Sequence, residues 1–249
     1  MNYNWNWGIF WELSPDATGT YLYTLLQGLR WTLATGLSAW TVAVILGVAI
    51  GIMRTLPDRR WVWVGNTYVE IFRNIPLLIQ MFLWFFVVPE LLPKAMGTWM
   101  KQLPNASFWT SVLALSFFTS ARVAEQFKAG IQSQSRGQMM AATALGMTLA
   151  QSYRHVLVPM AFRFVLPPLT SEFMNIMKNS AVALTIGLME LTARTRSMQE
   201  FSFQVFEAFT AATILYLALN LLIVLGMQRI ERWLAVPGFA ARGASAAGH

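Results

Sequence analysis

Three stretches of this 249-residue chain, 31–53, 102–121 and 208–228, contain no Asp, Glu, Lys or Arg. Roughly 20 such residues let a helix cross the hydrocarbon of a bilayer, and soluble core helices rarely run so far without a charge. Charged residues make up 12% of the chain, about half of what a soluble domain carries. A surface so poor in charge cannot face water. The pattern predicts an all-α, polytopic membrane protein.

Five transmembrane helices are expected, at about 28–53, 63–88, 107–127, 164–189 and 205–228. The second is interrupted by Glu70 and Arg73. The fourth carries Glu172 and Lys178, and its charge-free part, 179–189, is too short to cross alone. This divides the chain into an N-terminal segment (1–27), a transmembrane domain (28–233) and a Gly/Ala/Ser-rich tail (234–249) read as disordered.

Basic residues collect on the cytoplasmic side of membrane proteins. With the N-terminus outside, ten fall inside, Arg54, Arg59, Arg60, Lys128, Arg136, Arg154, Arg163, Arg229, Arg232 and Arg242. Four, Lys94, Lys101, Arg194 and Arg196, fall outside. The expected topology is therefore N-terminus periplasmic and C-terminus cytoplasmic. Trp5, Trp7, Trp11, Trp99 and Trp109 then lie near the outer interface, and Trp61, Trp63 and Trp233 near the inner one, which suits amphipathic rings at headgroup level.

The net charge of +7 is better read as these basic inner loops than as a nucleic-acid surface. With no Cys there is no disulfide framework or thiolate chemistry. His155 and the terminal His249 are the two histidines, too few for a His-rich metal site, and no cofactor is expected. An intramembrane hydrolase needs a Ser or Asp poised with a base or metal, whereas His155 lies in an inner loop. Met1 to Trp11 carries no basic residue and does not read as a cleavable signal.

Charges inside spans are costly and need a reason. Glu70 and Arg73, three apart, share a helical face and suit an intrahelical ion pair. Pro76 is expected to kink that span. In the fourth, Ser171, Glu172, Asn175, Lys178 and Asn179 fall within an arc of about 120°. This polar stripe faces either a pathway or a partner helix. Between the third and fourth spans lies a segment of about 36 residues, longer than ordinary connections. Within it Gln138 to Leu149 suits a short helix along the membrane, either an ordinary interfacial helix or one whose small residues seat in a groove on another protein.

That loop carries a resemblance. Gly137-Gln138-Met139-Met140-Ala141-Ala142-Thr143-Ala144-Leu145-Gly146, followed by Val156-Leu157-Val158-Pro159, resembles the "EAA" loop of ABC importer permeases. Met140 stands where Glu is usual, and Val158 where Leu is usual. Tyr68-Val69-Glu70-Ile71-Phe72-Arg73-Asn74-Ile75-Pro76-Leu77-Leu78-Ile79-Gln80 is similar to the second-span signature of the polar amino acid branch. Ala124-Glu125, Ile131-Gln132-Ser133, Leu166-Pro167-Pro168-Leu169 and Met177-Lys178-Asn179-Ser180 extend the match. Asn4-Trp5-Asn6-Trp7-Gly8-Ile9-Phe10, Val88-Pro89-Glu90-Leu91-Leu92-Pro93 and Phe118-Thr119-Ser120-Ala121-Arg122-Val123 resemble permease subunits of glutamate/aspartate importers.

The resemblance implies a non-catalytic subunit in the bacterial inner membrane, taking up acidic amino acids. Its partners would be a dimer of cytoplasmic ATP-binding cassette ATPases, a second homologous permease (or a second copy of this chain) and a periplasmic solute-binding protein. The four lysines precede Ala, Gln, Ala and Asn, so no P-loop Gly-Lys-Ser/Thr is present to supply the force. Gly137, Gln138, Met140, Ala141, Ala142, Gly146 and Pro159 are the residues expected to couple to the ATPase. The substrate pathway is expected to involve Arg122, Thr119, Gln126, Glu172, Asn175, Lys178 and Asn179. Arg122 stands where the branch commonly has Tyr, and its planar fork suits a carboxylate. The alternative for Arg122 is an internal pair with Glu125 or Glu70. Glutamine or histidine as substrate, and an ATP-independent carrier or channel, are the competing functions.

Overall fold

The structure is a computed structural model that describes residues 3–15 and 19–234. The expected tail lies almost wholly outside the described residues. Among the described residues eleven α-helices follow one another, and the only β-pairing is a single bridge, Leu13 with Thr20.

Helix α1 (Tyr21–Met53) begins inside the expected N-terminal segment. The Thr20 side chain caps it by accepting from the Tyr23 N–H, and Tyr21 and Leu25 are buried against Leu191 and Met198. Apolar cover and a cap extend the helix beyond its charge-free run.

Helices α2 (Arg59–Asn74) and α3 (Leu77–Phe82) were expected as one kinked span. The chain breaks there: α2 and the helical stretch from Leu77 to Leu91 meet at 101°. That stretch continues from α3 through a wide turn, Leu83–Val87, into α4 (Val88–Leu91). Pro76 has no N–H and cannot continue α2. The freed carbonyls are taken up by Gln80, whose Nε2 donates to Phe72 O at 2.8 Å and to Ile75 O at 2.9 Å.

After α5 (Lys94–Gln102) comes α6 (Ala106–Gln132), which packs along α1. Gly47 and Gly51 of α1 allow the approach. A Cβ on Gly47 would lie 2.5 Å from Val123 Cβ, and one on Gly51 2.6 Å from Phe127 Cβ. Small residues four apart permit such close backbone contact between membrane helices.

Among the described residues three helical segments are long and apolar enough to cross a membrane, or four if the bent pair counts as one. Helix α6 is not among them, although a span was expected at 107–127. It is the most enclosed helix of the bundle, burying Thr110, Ser111, Ser116, Thr119 and Ser120 with its apolar residues. Several of these hydroxyls return to the backbone of their own helix, as Ser116 Oγ does to Val112 O at 2.6 Å. A helix covered by its neighbours needs less hydrophobicity than one facing lipid.

The long loop holds α7 (Arg136–Ala144) and α8 (Leu149–Ser152), not one helix from Gln138 to Leu149. Gly146, at φ 78°, ends α7. Gly146 N–H bonds Thr143 O at 3.0 Å and Met147 N–H bonds Ala142 O at 3.1 Å, a left-handed helix stop. From α8 the chain runs through a wide turn, Tyr153–Leu157, into α9 (Val158–Asn179), and on through a tight turn to Ile186. Helices α10 (Leu191–Ser202) and α11 (Val205–Leu234) complete the described chain.

Candidate functional site: a charged pair between α6 and α9

Arg122 of α6 meets Glu172 of α9, with Nη1 3.8 Å from Oε2. Neither expected partner of Arg122, Glu125 or Glu70, is the one it takes. Its guanidinium also lies over the Phe118 ring, 4.4 Å from the centroid. Gln126, one turn beyond Arg122, donates from Nε2 to Glu172 Oε1 at 3.5 Å. Asn175 follows Glu172 three residues on, along the same polar stripe of α9. Thr119, one turn before Arg122, is buried.

Two of the expected pathway residues, Arg122 and Gln126, thus converge on the carboxylate of a third, Glu172. Lys178 and Asn179 continue the stripe toward the end of α9. Lys178 is exposed, Asn179 is half-buried, and Lys178 forms no ion pair among the described residues. The opposite face of α9, with Leu166, Leu169, Ile176 and Met177, is buried in the chain's own core. Apart from the contact with α6, the polar stripe opens outward from the bundle.

A second charged group lies toward the α1 C-terminus. Glu125 Oε1 receives Arg54 Nη2 at 3.0 Å and Arg73 Nη1 at 3.5 Å. Arg73 therefore pairs between helices and not with Glu70, and Glu70 makes no ion pair among the described residues. A third group was missed entirely in the sequence. Glu190, fully buried, caps α10 by accepting from Thr192 N–H at 2.9 Å and Ala193 N–H at 2.8 Å. The Tyr216 hydroxyl of α11 donates to it at 3.1 Å, and Thr32 of α1 does so at 3.4 Å. Burial raises the Glu190 carboxyl above its ordinary range, against the pull of these donors. A fourth, Glu207, is buried at the start of α11 and accepts from the Tyr3 hydroxyl and from Asn6 N–H. Acids inside ordinary polar stretches carry no periodic signal. The one available hint at Glu190 was its place before a helical pattern.

The loop residues cluster at one end of the bundle. Met140 (66% exposed) projects from α7 and Leu145 (80% exposed) from just beyond its end, with Ala141, Ala144 and Gly137 also exposed, while Ala142 is buried. Gln138, Ala141, Ala142, Leu145, Met147, His155, Pro159 and Arg163 line an open cleft of about 480 Å³. Within this chain nothing lies within 4 Å of where a Cβ on Gly146 would be, so that side of the loop stays open. The left-handed φ of Gly146 requires glycine. The loop is tied to the bundle at two points. Tyr153 donates its hydroxyl to Thr55 O at 2.7 Å, beyond the end of α1. Gln134 Nε2 donates to Leu157 O at 2.8 Å. Among the described residues no group of His, Asp and Glu could hold a metal ion.

An all-helical bundle with spanning helices, a charged pair between two of them and an apolar helical loop at one end has the build of an integral membrane transport protein. Comparison with known proteins gives the class a family. The chain belongs to the binding-protein-dependent transport system inner membrane components, whose model matches residues 43–236. It is 46% identical to the glutamate/aspartate import permease protein GltJ of Escherichia coli K12, over 96% of this chain and 98% of that one. It is 32% identical to the probable glutamine ABC transporter permease protein GlnM of Bacillus subtilis, over 83% and 91%. A crystal structure of an amino acid ABC transporter with histidines superimposes with a TM-score of 0.72 at 31% identity, covering 85% of this chain and 94% of that one.

Proposed function

We propose that this chain is the membrane-spanning, non-catalytic subunit of an ATP-driven importer of glutamate and aspartate in a bacterial inner membrane. The observation that carries the substrate class is the Arg122–Glu172 pair between α6 and α9. A permanent cation at membrane depth is retained where it serves a substrate or a partner, and a guanidinium matches a carboxylate. The 46% identical relative, named for the same two amino acids, supports the choice.

The topology that fits this role has five spans, with α6 as the third, the N-terminus periplasmic and the C-terminus cytoplasmic. In it α7 lies in the cytoplasm. Its exposed Met140 and Leu145 form an apolar surface suited to a groove on an ATPase, and the Tyr153 and Gln134 ties carry motion from there into α1 and α9. The polar stripe of α9 opens away from this chain's own core, and lipid would penalise it. A second permease subunit across that stripe would complete an aqueous path, and a periplasmic solute-binding protein would deliver the substrate to it.

The test is uptake by the assembled transporter in proteoliposomes with Arg122→Tyr. The expected result is loss of acidic amino acid uptake, with ATP hydrolysis in the absence of substrate retained. Acidic uptake of unchanged affinity would remove Arg122 from the pathway.

A further inference from the structure

The Arg122–Glu172 pair is loosely made. Its single contact of 3.8 Å is well outside the about 2.7–2.9 Å of a charge-assisted N–H···O bond. The Gln126 contact to the same carboxylate, at 3.5 Å, is also long. Gln126 Oε1 is buried and accepts nothing. The Arg122 guanidinium is held by the Phe118 face independently of Glu172, so it keeps its place if the carboxylate leaves. The site therefore holds a preorganised cation, a weakly held anion and an unused acceptor beside them.

We propose that Glu172 occupies Arg122 only in the empty site, and that the substrate exchanges with it. A substrate carboxylate takes the guanidinium, while the substrate's ammonium takes Glu172 and Gln126 Oε1. This rests on reading the α6–α9 face as the pathway. The Arg122 side chain is 38% exposed and that of Glu172 13%, so separating the pair is most costly where it leaves the Glu172 charge bare. An amino acid supplies both replacements at once, so neither Arg122 nor Glu172 is left unpaired. The second carboxylate of an acidic amino acid is then matched by Lys178, further along the same face of α9. Arg122 and Lys178 against Glu172 leave one positive charge, which meets the single net negative charge of glutamate or aspartate at neutral pH. The exchange makes the ammonium group a selected feature. A dicarboxylate lacking it displaces Glu172 but leaves that carboxylate without a partner.

The experiment uses the complete transporter in nanodiscs, without the solute-binding protein, and competes labelled glutamate against glutarate, the same dicarboxylate without the amino group. The wild-type complex is expected to prefer glutamate. Glu172→Gln should reduce that preference by about tenfold or more, the usual scale of a charged hydrogen bond, with glutarate bound no more weakly than by wild type. Glu172→Asp, which keeps the charge, should retain the preference, and this separates loss of the anion from loss of the fold. A wild-type complex indifferent to the amino group overturns the exchange. So does Glu172→Gln with its preference intact while Arg122→Gln abolishes binding, a result that leaves the pathway reading standing. Arg122→Gln with unchanged binding sinks both.

Discussion

Arg54 and Glu125 are joined at 3.0 Å, and Arg73 reaches the same carboxylate oxygen at 3.5 Å. One acid on α6 thereby ties the residue that ends α1 to the last turn of α2. The Arg54 side chain is 6% exposed and that of Glu125 35%. Arg54 Nε donates to Asn66 Oδ1 at 2.8 Å, leaving Nη1 buried without a partner.

Glu125→Gln should therefore cost about 2–3 kcal/mol, somewhat less than the about 3–5 of breaking a fully buried pair, because Glu125 is partly exposed. Glu70→Gln, at the residue the sequence offers as the partner of Arg73, should stay within about 0.5 kcal/mol. Thermal unfolding of the purified protein in detergent compares the two. Equal shifts would dissolve the distinction.

At the α1–α6 contact, Gly47→Val should destabilise strongly. Its first side-chain carbon would sit 2.5 Å from Val123 Cβ and 2.9 Å from Ser120 O, and forcing extra carbons into a packed contact costs about 1–3 kcal/mol or more. Gly226→Ala on α11 is the converse case, since nothing lies within 4 Å of the added carbon. It should be neutral or stabilising by up to about 1 kcal/mol through helix propensity. The same unfolding measurement reads both.

Gly146→Ala meets no atom, yet its left-handed backbone should cost about 1–2 kcal/mol and loosen the end of α7. Gly146→Asn should be milder, because Asn tolerates that conformation. The expected readout is weaker retention of the ATPase on purification, in the order Ala below Asn below wild type.

Glu190 gives a pH dependence of definite sign. Its folded pKa is raised by burial, so the folded protein holds this proton more tightly than the unfolded chain. The associated stability is complete below the unfolded carboxylate pKa and is lost as pH rises through the folded value. Melting temperatures across that window should fall less steeply with rising pH in Glu190→Gln than in wild type. Parallel slopes would show that Glu190 does not titrate there.

The spans at α1 and α11 were legible because a charge-free run and a 3.6-residue period are local signals. The polar stripe of α9 was legible for the same reason, and the structure leaves Ser171, Glu172, Asn175, Lys178 and Asn179 at least partly uncovered. The partners of Arg122 and Arg73 were not. Helical spacing reveals neighbours three or four residues away, whereas Glu172 is fifty residues from Arg122 and Glu125 fifty-two from Arg73. The 101° break was only half visible. Proline announces a disturbance, but a full break depends on Gln80 satisfying the exposed carbonyls, a contact set by the turn itself. Gly146 was picked out by motif for coupling, and its φ of 78° adds a backbone requirement for glycine that spacing alone does not reveal.

The proposed function requires α7 to be a cytoplasmic surface gripped by a separate motor. The chain contains no cysteine, so Met140→Cys creates a single addressable thiol on that helix. In oriented vesicles of the assembled transporter, a membrane-impermeant maleimide should label it only from the cytoplasmic side, with the ATPase subunit shielding it. Labelling from the periplasmic side, or equal labelling with and without the ATPase, would contradict the account.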